Sequence, residues 1–356
     1  MHDADSADWL GLSLIKGLGP IRTVKLLQAF GSPRAVLDAG AAALRAHLPE
    51  QVVAAVRAGP DPDLLAHSLA WLDDPANRLI TLADPDYPRL LLDTADPPPV
   101  LYLKGRAELL NSPMLAVVGS RHASQQGADD AEAFANSLSQ AGWTIVSGLA
   151  LGIDAAAHRG GLAGPGSTLA VVGTGLDSVY PAANHALAHR IATGGALLSE
   201  FPLGTPAHPS HFPRRNRLIS GMARGVLVVE AALQSGSLIT ARQAAEQGRE
   251  VFALPGSIHS TLSKGCHALI KQGAKLVESA ADILDELGSP APLRPATPGS
   301  AEEEALLSAL GFEPVDLETL CARTNLTVEQ AYAMLLPLEL AGRLVKLPGG
   351  RYQRVV

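Results

Sequence analysis

The sequence predicts an α/β fold: a parallel sheet covered by helices on both faces, with a small helical domain before it and a winged helix after it. Three observations predict this. Seven short, apolar, β-branched-rich segments between residues 115 and 277 alternate with helical stretches. The first 75 residues show helical periodicity only. The last stretch reads as three helices followed by a hairpin.

Residues 9–57 place apolar side chains at helical spacing, interrupted by the turn signals Gly17-Leu18-Gly19-Pro20 and Gly31-Ser32-Pro33. Two helices around a Gly-x-Gly turn read as a SAM/helix-hairpin-helix-like domain over 1–75. Such a turn can offer backbone amides to a DNA phosphate. Few cations flank it, which favours a helical packing module instead. AGPDPD at 58–63 reads as a linker.

The central domain is expected over 79–287. Its strand candidates are Leu115–Val118, Thr144–Ser147, Thr168–Val172, Ala196–Ser199, Val226–Glu230, Glu250–Leu254 and Lys275–Val277. Strands alternating with helices imply βαβ units, right-handed crossovers and an extended Rossmann-like parallel sheet. Ligands of such sheets sit at the carboxyl ends of the strands.

GSPAPLRPATPGS (288–300) has linker composition. Beyond it, over 301–356, helices are expected at Ala301–Leu310, Asp316–Thr324 and Thr327–Leu340, with Thr327 as an N-cap. A hairpin from Arg343–Lys346 to Arg351–Val355 completes a winged helix. The third helix carries Glu329 and Glu339 and no cation, so a protein contact or a structural role stands beside a DNA role. Only Arg343, Lys346, Arg351 and Arg354 offer phosphate contacts there.

Of the 356 residues, 47% are hydrophobic and 18% charged, which excludes a disordered chain. No apolar run reaches the roughly 18–20 residues of a membrane span, and the acidic start MHDADSADWL reads against a secretory signal. Cys266 and Cys321 make neither a disulfide framework nor a zinc site, so a reducing cytoplasm is expected. The net charge is -7, yet residues 111–280 hold 12 Lys and Arg against 10 Asp and Glu. A polyanionic partner is therefore compatible with the middle of the chain.

Glycines directly after strands mark the chemistry. Gly119-Ser120-Arg121 follows the first strand, where a tight turn opens a helix N-terminus and an arginine can grip a phosphate. Gly148 in SGLALGID and Gly175 in VVGTGLDSVYPAAN hold similar positions. Phe212, Arg214, Arg215, Asn216 and Arg217 crowd one helix start, suiting a sugar-phosphate and a stacked base. Ser235-Gly236-Ser237 offers amides and hydroxyls, and Lys264 precedes another helix. Neither Gly-x-Gly-x-x-Gly nor a P-loop is present, so no dinucleotide cofactor is expected. His185 and His189 at i, i+4 lack the glutamate of a zinc protease motif and a third ligand. No metal site and no catalytic residue is expected.

Together, GSR, SGxAxGIDxxAH, GTGLDxxYPxxN, SEFPxG, FPxRNRxISG, VVEAxxxSGSLITA, FAxPG and GxxxLIxxGA resemble the DNA-processing protein A (DprA/Smf) family, as does PDYPRLLLDTADPPPVLYLKG at 85–105. The resemblance runs over residues 80–285. It implies single-stranded DNA binding, protection of incoming DNA, a homodimer through the Rossmann-like domain, and loading of RecA in natural transformation and recombination. Arg121 matches the family's GSR arginine, and Arg214 to Arg217 its basic stretch. His267 stands where the last motif usually has Asn, and it can donate or accept a hydrogen bond there.

The alternative is an enzyme, a nucleoside-monophosphate phosphoribohydrolase-like nucleotide-binding protein. Those hydrolases carry Pro-Gly-Gly-x-Gly-Thr-x-x-Glu. Here Thr240 is followed three residues later by Gln243, leaving no evident general acid. Glu200 and Glu230, at strand ends, are expected to position arginines.

Overall fold

The computed structural model describes residues 4–288 and, beyond 305, residues 306–307, 309–310, 315–324, 326, 331, 335, 338, 344–347 and 351–354. The chain divides into two compact units, with the boundary between Leu293 and Arg294.

The first unit opens with six helices: α1 (Ala4–Ser13), α2 (Pro20–Phe30), α3 (Pro33–Asp38), α4 (Ala41–Arg45), α5 (Glu50–Ala58) and α6 (Pro62–Trp71). Their breaks have local causes. Gly17 and Gly31 take φ values of +82° and +86°, where a side chain would be strained. Pro20 and Pro33 open the helices that follow, and the Ser32 hydroxyl caps α3 by accepting from Ala35 N at 3.2 Å.

The sheet strands are β1 (Asn77–Thr81), β2 (Val100–Gly105), β3 (Met114–Val118), β4 (Thr144–Ser147), β5 (Thr168–Val171), β6 (Ala196–Ser199), β7 (Gly225–Val228), β8 (Glu250–Ala253) and β9 (Lys275–Leu276). Between them run α7 (Arg89–Leu92), α8 (Gln125–Gln140), α9 (Ile153–Leu162), α10 (His185–Gly194), α11 (His211–Met222), α12 (Gly236–Glu246) and α13 (Lys264–Lys271), and α14 (Ala280–Leu287) follows the last strand. The spatial order is β1-β2-β6-β5-β4-β3-β7-β8-β9. The strands from β3 to β9 pair with one another in parallel.

The strands alternate between two cores because successive side chains point to opposite faces. Leu115 and Val117 face a core with Phe134, Ile153 and Ile283 of α8, α9 and α14. Ala116 and Val118 face Leu218, Ile219, Ala241 and Cys266 of α11, α12 and α13. Both faces being covered explains why β3 is apolar throughout.

Two expectations are corrected here. The sheet is not wholly parallel: β1 pairs with β2, and β2 with β6, antiparallel. This flank lies where the sequence shows no α/β alternation. AGPDPD is no domain linker either. Gly59, at φ +79°, ends α5, and the Asp61 carboxylate caps α6 by accepting from Asp63 N and Leu64 N. Leu65 and Leu69 of α6 then pack with Trp9 and Leu10 of α1 against Val100 and Tyr102 of β2. The helical module is thus fastened to the sheet's flank.

In the second unit, β10 (Val315–Asp316), α15 (Leu317–Thr324), β11 (Leu344–Leu347) and β12 (Arg351–Arg354) are described. The three strands order as β10-β12-β11, so the wing has one more strand than the expected hairpin. Asp316 caps α15, accepting from Thr319 N at 2.8 Å. Leu306, Leu307, Leu310, Leu320, Leu335, Leu338, Leu344 and Tyr352 share one core. Ala331, Leu335 and Leu338 are helical and fall on one face by their spacing. Of the expected linker 288–300, residues 289–300 lie outside the described residues, as do Thr327 and Arg343.

Candidate nucleic-acid interface

The chain runs outward from β3 to β4, β5 and β6, then returns across the sheet to β7 on the other side of β3. That reversal leaves a crevice at the carboxyl ends of the strands. A cleft of about 640 Å³ occupies it. It is lined by Val118, Gly119, Ser120 and Arg121 after β3, Ala150 and Asp154 after β4, and Tyr180 after β5. Phe212, Pro213, Arg215, Asn216 and Ile219 of α11 also contribute, as do Gln234, Ser235, Gly236, Ser237, Ile239 and Thr240 at the start of α12.

The β3 turn requires Gly119, because a Cβ there would meet Ile153 Cγ1 at 2.6 Å and the Glu230 carbonyl oxygen at 2.9 Å. Ser120 is buried, and its carbonyl accepts from Ile153 N at 3.1 Å, joining this turn to the start of α9. Arg121 remains exposed. Its guanidinium carbon lies 5.2 Å from the centre of the Phe212 ring, within cation–π range. Phe212 in turn lies 5.7 Å from Tyr180, with the rings tilted by 32°.

After β4, the backbone from Gly148 to Ala150 is held by buried side chains from separate elements. The Asp154 carboxylate accepts from Gly148 N at 3.1 Å and Ala150 N at 3.4 Å. Asn184 Nδ2 donates to the carbonyls of Leu149 and Ala150. Leu149, at φ +57°, donates its N–H to His158 Nε2 at 3.2 Å. That donor fixes the tautomer: Nε2 accepts, so Nδ1 carries the proton and donates to Thr168 Oγ1 at 2.7 Å. Thr168 Oγ1 in turn donates to the Ile145 carbonyl at 2.7 Å. Burial lowers the His158 pKa to about 3, so the ring is neutral at physiological pH.

Arg215 lies beneath this loop, only 4% exposed. Its Nη1 donates to the Gly148 carbonyl at 2.5 Å and to the Val171 carbonyl, and its Nε to Asn216 Oδ1. Burial brings its pKa down to about 10, while Asp154 opposes that shift. The group is charged at neutral pH and lies under the cleft, with the buried Asp154 carboxyl as its electrostatic partner.

Helical periodicity sorts the crowded α11 arginines onto different faces. Phe212, Arg215, Asn216 and Ile219 face the cleft. Arg214 and Arg217 face Glu200, whose side chain is 1% exposed, with Nη2–Oε2 distances of 3.0 and 2.5 Å. Arg217 also pairs with Asp96 at 3.2 Å. Glu200 therefore positions arginines as expected. Glu230 does not: its carboxylate accepts from Ser124 N at 2.9 Å and Ser124 Oγ at 2.6 Å, at the start of α8.

The structure brings Gly119, Ser120, Arg121, Phe212, Arg215, Asn216, Ser235, Gly236 and Ser237 into one cleft. Gly148 joins an adjoining pocket of about 130 Å³ that shares Arg121, Tyr180, Phe212 and Arg215. Gly175, Arg214, Arg217, Lys264 and His267 are outside both linings. His267 Nε2 lies 3.1 Å from the Gly256 carbonyl. Gly265, beside exposed Lys264, donates to the Ala231 carbonyl at 2.7 Å. Tyr180 was missed by sequence reading, although an aromatic before a proline just past a strand was the signal. His185 and His189 are exposed, with Nε2 atoms 3.4 Å apart.

A strand order that reverses at β3, with helices on both faces and the cleft at the reversal, places the chain among Rossmann-like open-sheet α/β proteins. Residues 78–288 match the DNA recombination-mediator protein A family, and residues 289–350 match the DprA winged helix domain. The chain belongs to the DprA/Smf family. It is 45% identical over 295 residues to protein Smf of Escherichia coli K12, covering 80% of this chain and 79% of that one. It is 50% identical over 206 residues to DNA processing protein DprA of Streptococcus pneumoniae R6, covering 58% and 73%. The X-ray structure of DNA processing protein A from Streptococcus pneumoniae superposes with a TM-score of 0.63 at 39% identity, covering 80% of this chain and 99% of that one. A structure of the Helicobacter pylori protein, described for its single-stranded DNA binding mode, superposes with a TM-score of 0.54 at 31% identity, covering 59% and 95%.

Proposed function

We propose that this protein binds single-stranded DNA along the carboxyl edge of its sheet, protects incoming DNA, and loads RecA onto it during natural transformation and recombination. The observation that carries the reading is the switch-point cleft, where exposed Arg121 sits over Phe212 and buried Arg215 lies in the floor. The Helicobacter pylori relative's described binding of single-stranded DNA supports the ligand class. Arg121 contacts phosphate directly, and the Ser235–Ser237 turn presents its hydroxyls and the Gly236 amide beside it, the Ser235 and Ser237 amides being bonded locally. Phe212 and Tyr180 wall a base. Lys264 and His267, beyond the cleft, would meet a strand continuing past β8.

The protein acts in the cytoplasm as a homodimer through the Rossmann-like domain. A groove between α12 and α13, where Leu233, Leu238 and Leu269 lie among Arg242, Arg249 and Gln272, offers one surface for self-association. Catalysis has no part in this reading. Gln243 stands where the related hydrolase motif has Glu, and both strand-end glutamates are engaged elsewhere.

The test is fluorescence anisotropy of a labelled homothymidine oligonucleotide over a salt series. Arg121→Ala is expected to weaken binding roughly tenfold, as loss of about 1.5 kcal/mol of charge-assisted contact. It is also expected to lower the log–log salt slope by about 0.7. Binding indifferent to Arg121 would refute the assignment of the cleft.

A further inference from the structure

The Gly-x-Gly turn of the helical module has no part in the central cleft, yet it borders a cavity of its own. Gly17, Leu18, Gly19, Pro20, Arg22 and Thr23 form one wall of a space of about 430 Å³. The other wall combines Pro98–Val100 and Tyr102 with Glu200, Phe201, Pro202 and Arg214 after β6. Both walls belong to the same compact unit.

Two cations from distant parts of the chain converge here. Arg22 is exposed and donates from Nη1 to the Gly17 carbonyl at 3.0 Å, which keeps the guanidinium at the turn. Arg214 spends only part of its donor set on Glu200; its side chain is 46% exposed and lies 5.2 Å over the Phe201 ring. A Cβ on Gly19 would meet nothing within 4 Å, so the turn stands open. No side chain caps α2, and its first intrahelical bond is made by Thr23 N to the Gly19 carbonyl. The earlier amides of Ile21 and Arg22 are left without intrahelical acceptors.

The cavity and the central cleft share no lining residue, but both border the first turn of α11. Phe212 and Pro213 line the cleft, and Arg214, the next residue, lines the cavity. We propose that the space between the helical-module turn and β6 is a second phosphodiester subsite, with Arg22 and Arg214 gripping the backbone of a DNA strand that leaves the central cleft over the first turn of α11. The module thereby lengthens the binding path. This rests on the single-stranded DNA reading above.

The experiment compares a short homothymidine oligonucleotide of about 6 nucleotides with a long one of about 15, spanning the range of single-strand site sizes. Arg22→Gln removes the charge while keeping a donor for the Gly17 carbonyl, and circular dichroism checks that the helical module remains folded. The long strand is expected to bind about fivefold more weakly to Arg22→Gln, with a salt slope lower by about 0.7, and the short strand to bind as before. Arg121→Ala weakens both. A long-to-short affinity ratio unchanged by Arg22→Gln overturns the second subsite and leaves the central site standing. Failure of the unsubstituted protein to bind either length overturns the DNA reading itself.

Discussion

Replacing Gly148 by alanine tests how the cleft floor is built. A Cβ at this position would lie 2.2 Å from Arg215 Nη1, 2.5 Å from Cζ and 2.6 Å from Nη2. The backbone cannot retreat easily, because Asp154 holds the Gly148 amide from the other side. The guanidinium must therefore leave its seat and give up its bonds to the Gly148 and Val171 carbonyls. Each charge-assisted bond contributes about 1.5–3 kcal/mol, and stripping partners from a buried charge costs about 3–5 kcal/mol. With a urea m-value near 3 kcal/mol/M, the unfolding midpoint should fall by about 1–1.5 M. The assay is urea denaturation followed by far-UV circular dichroism. Gly236→Ala is the matched control, because a Cβ there would meet nothing within 4 Å and should shift stability by no more than about 0.5 kcal/mol. If Gly148→Ala unfolds at the control's midpoint, Arg215 has room to move and the account of the floor is wrong.

Two further outcomes follow from the buried groups. His158 has a folded pKa of about 3 against about 6.5 unfolded, so only the unfolded chain takes up its proton between those values. Its contribution is intact above pH of about 6.5 and is lost as pH falls, by about 2 kcal/mol at pH 5. Urea titrations at pH 7 and pH 5 should show this loss in the unsubstituted protein and a smaller one in His158→Gln; equal losses would count against the neutral buried ring. Burial raises the Cys266 pKa to about 11 and seals its thiol under β7, whereas Cys321 is half-exposed. Ellman's reagent should titrate one thiol per native chain and a second only after denaturant; rapid reaction of both would refute the packing around Cys266.

The sequence was most legible where local pattern and tertiary role agree. β3 was readable because an all-apolar strand ending in Gly119 is what a doubly covered parallel strand with a tight exit needs. β1 and β2 escaped because their pairing partners are set by tertiary contacts. Asn77–Thr81 exposes one residue, half-exposes another and buries the rest, a pattern that no simple alternation reveals. AGPDPD misled because proline and aspartate serve equally as linker residues and as a helix start. Among the site residues, proximity in sequence suggested that Arg214, Arg215 and Arg217 act together, but helix geometry sends them to different faces. Nor could composition show that Arg215 is buried: its partners are backbone carbonyls of Gly148 and Val171, and a carbonyl has no signature in sequence.

The register of β3 also bears on how the molecule is made. One edge of β3 pairs with β4 soon after synthesis, but the other waits for β7, with Leu115 opposite Gly225. About a hundred residues separate those partners, so at roughly 5–20 residues per second a ribosome leaves that edge bare for about 5–20 s. During that interval the nascent chain presents an apolar strand with unpaired amides, the kind of surface chaperones cover. The cleft, whose walls lie on both sides of β3, is completed only when β7 and α12 arrive. A chain released before that point would carry Arg121 and Phe212 yet have no groove in which to place a strand.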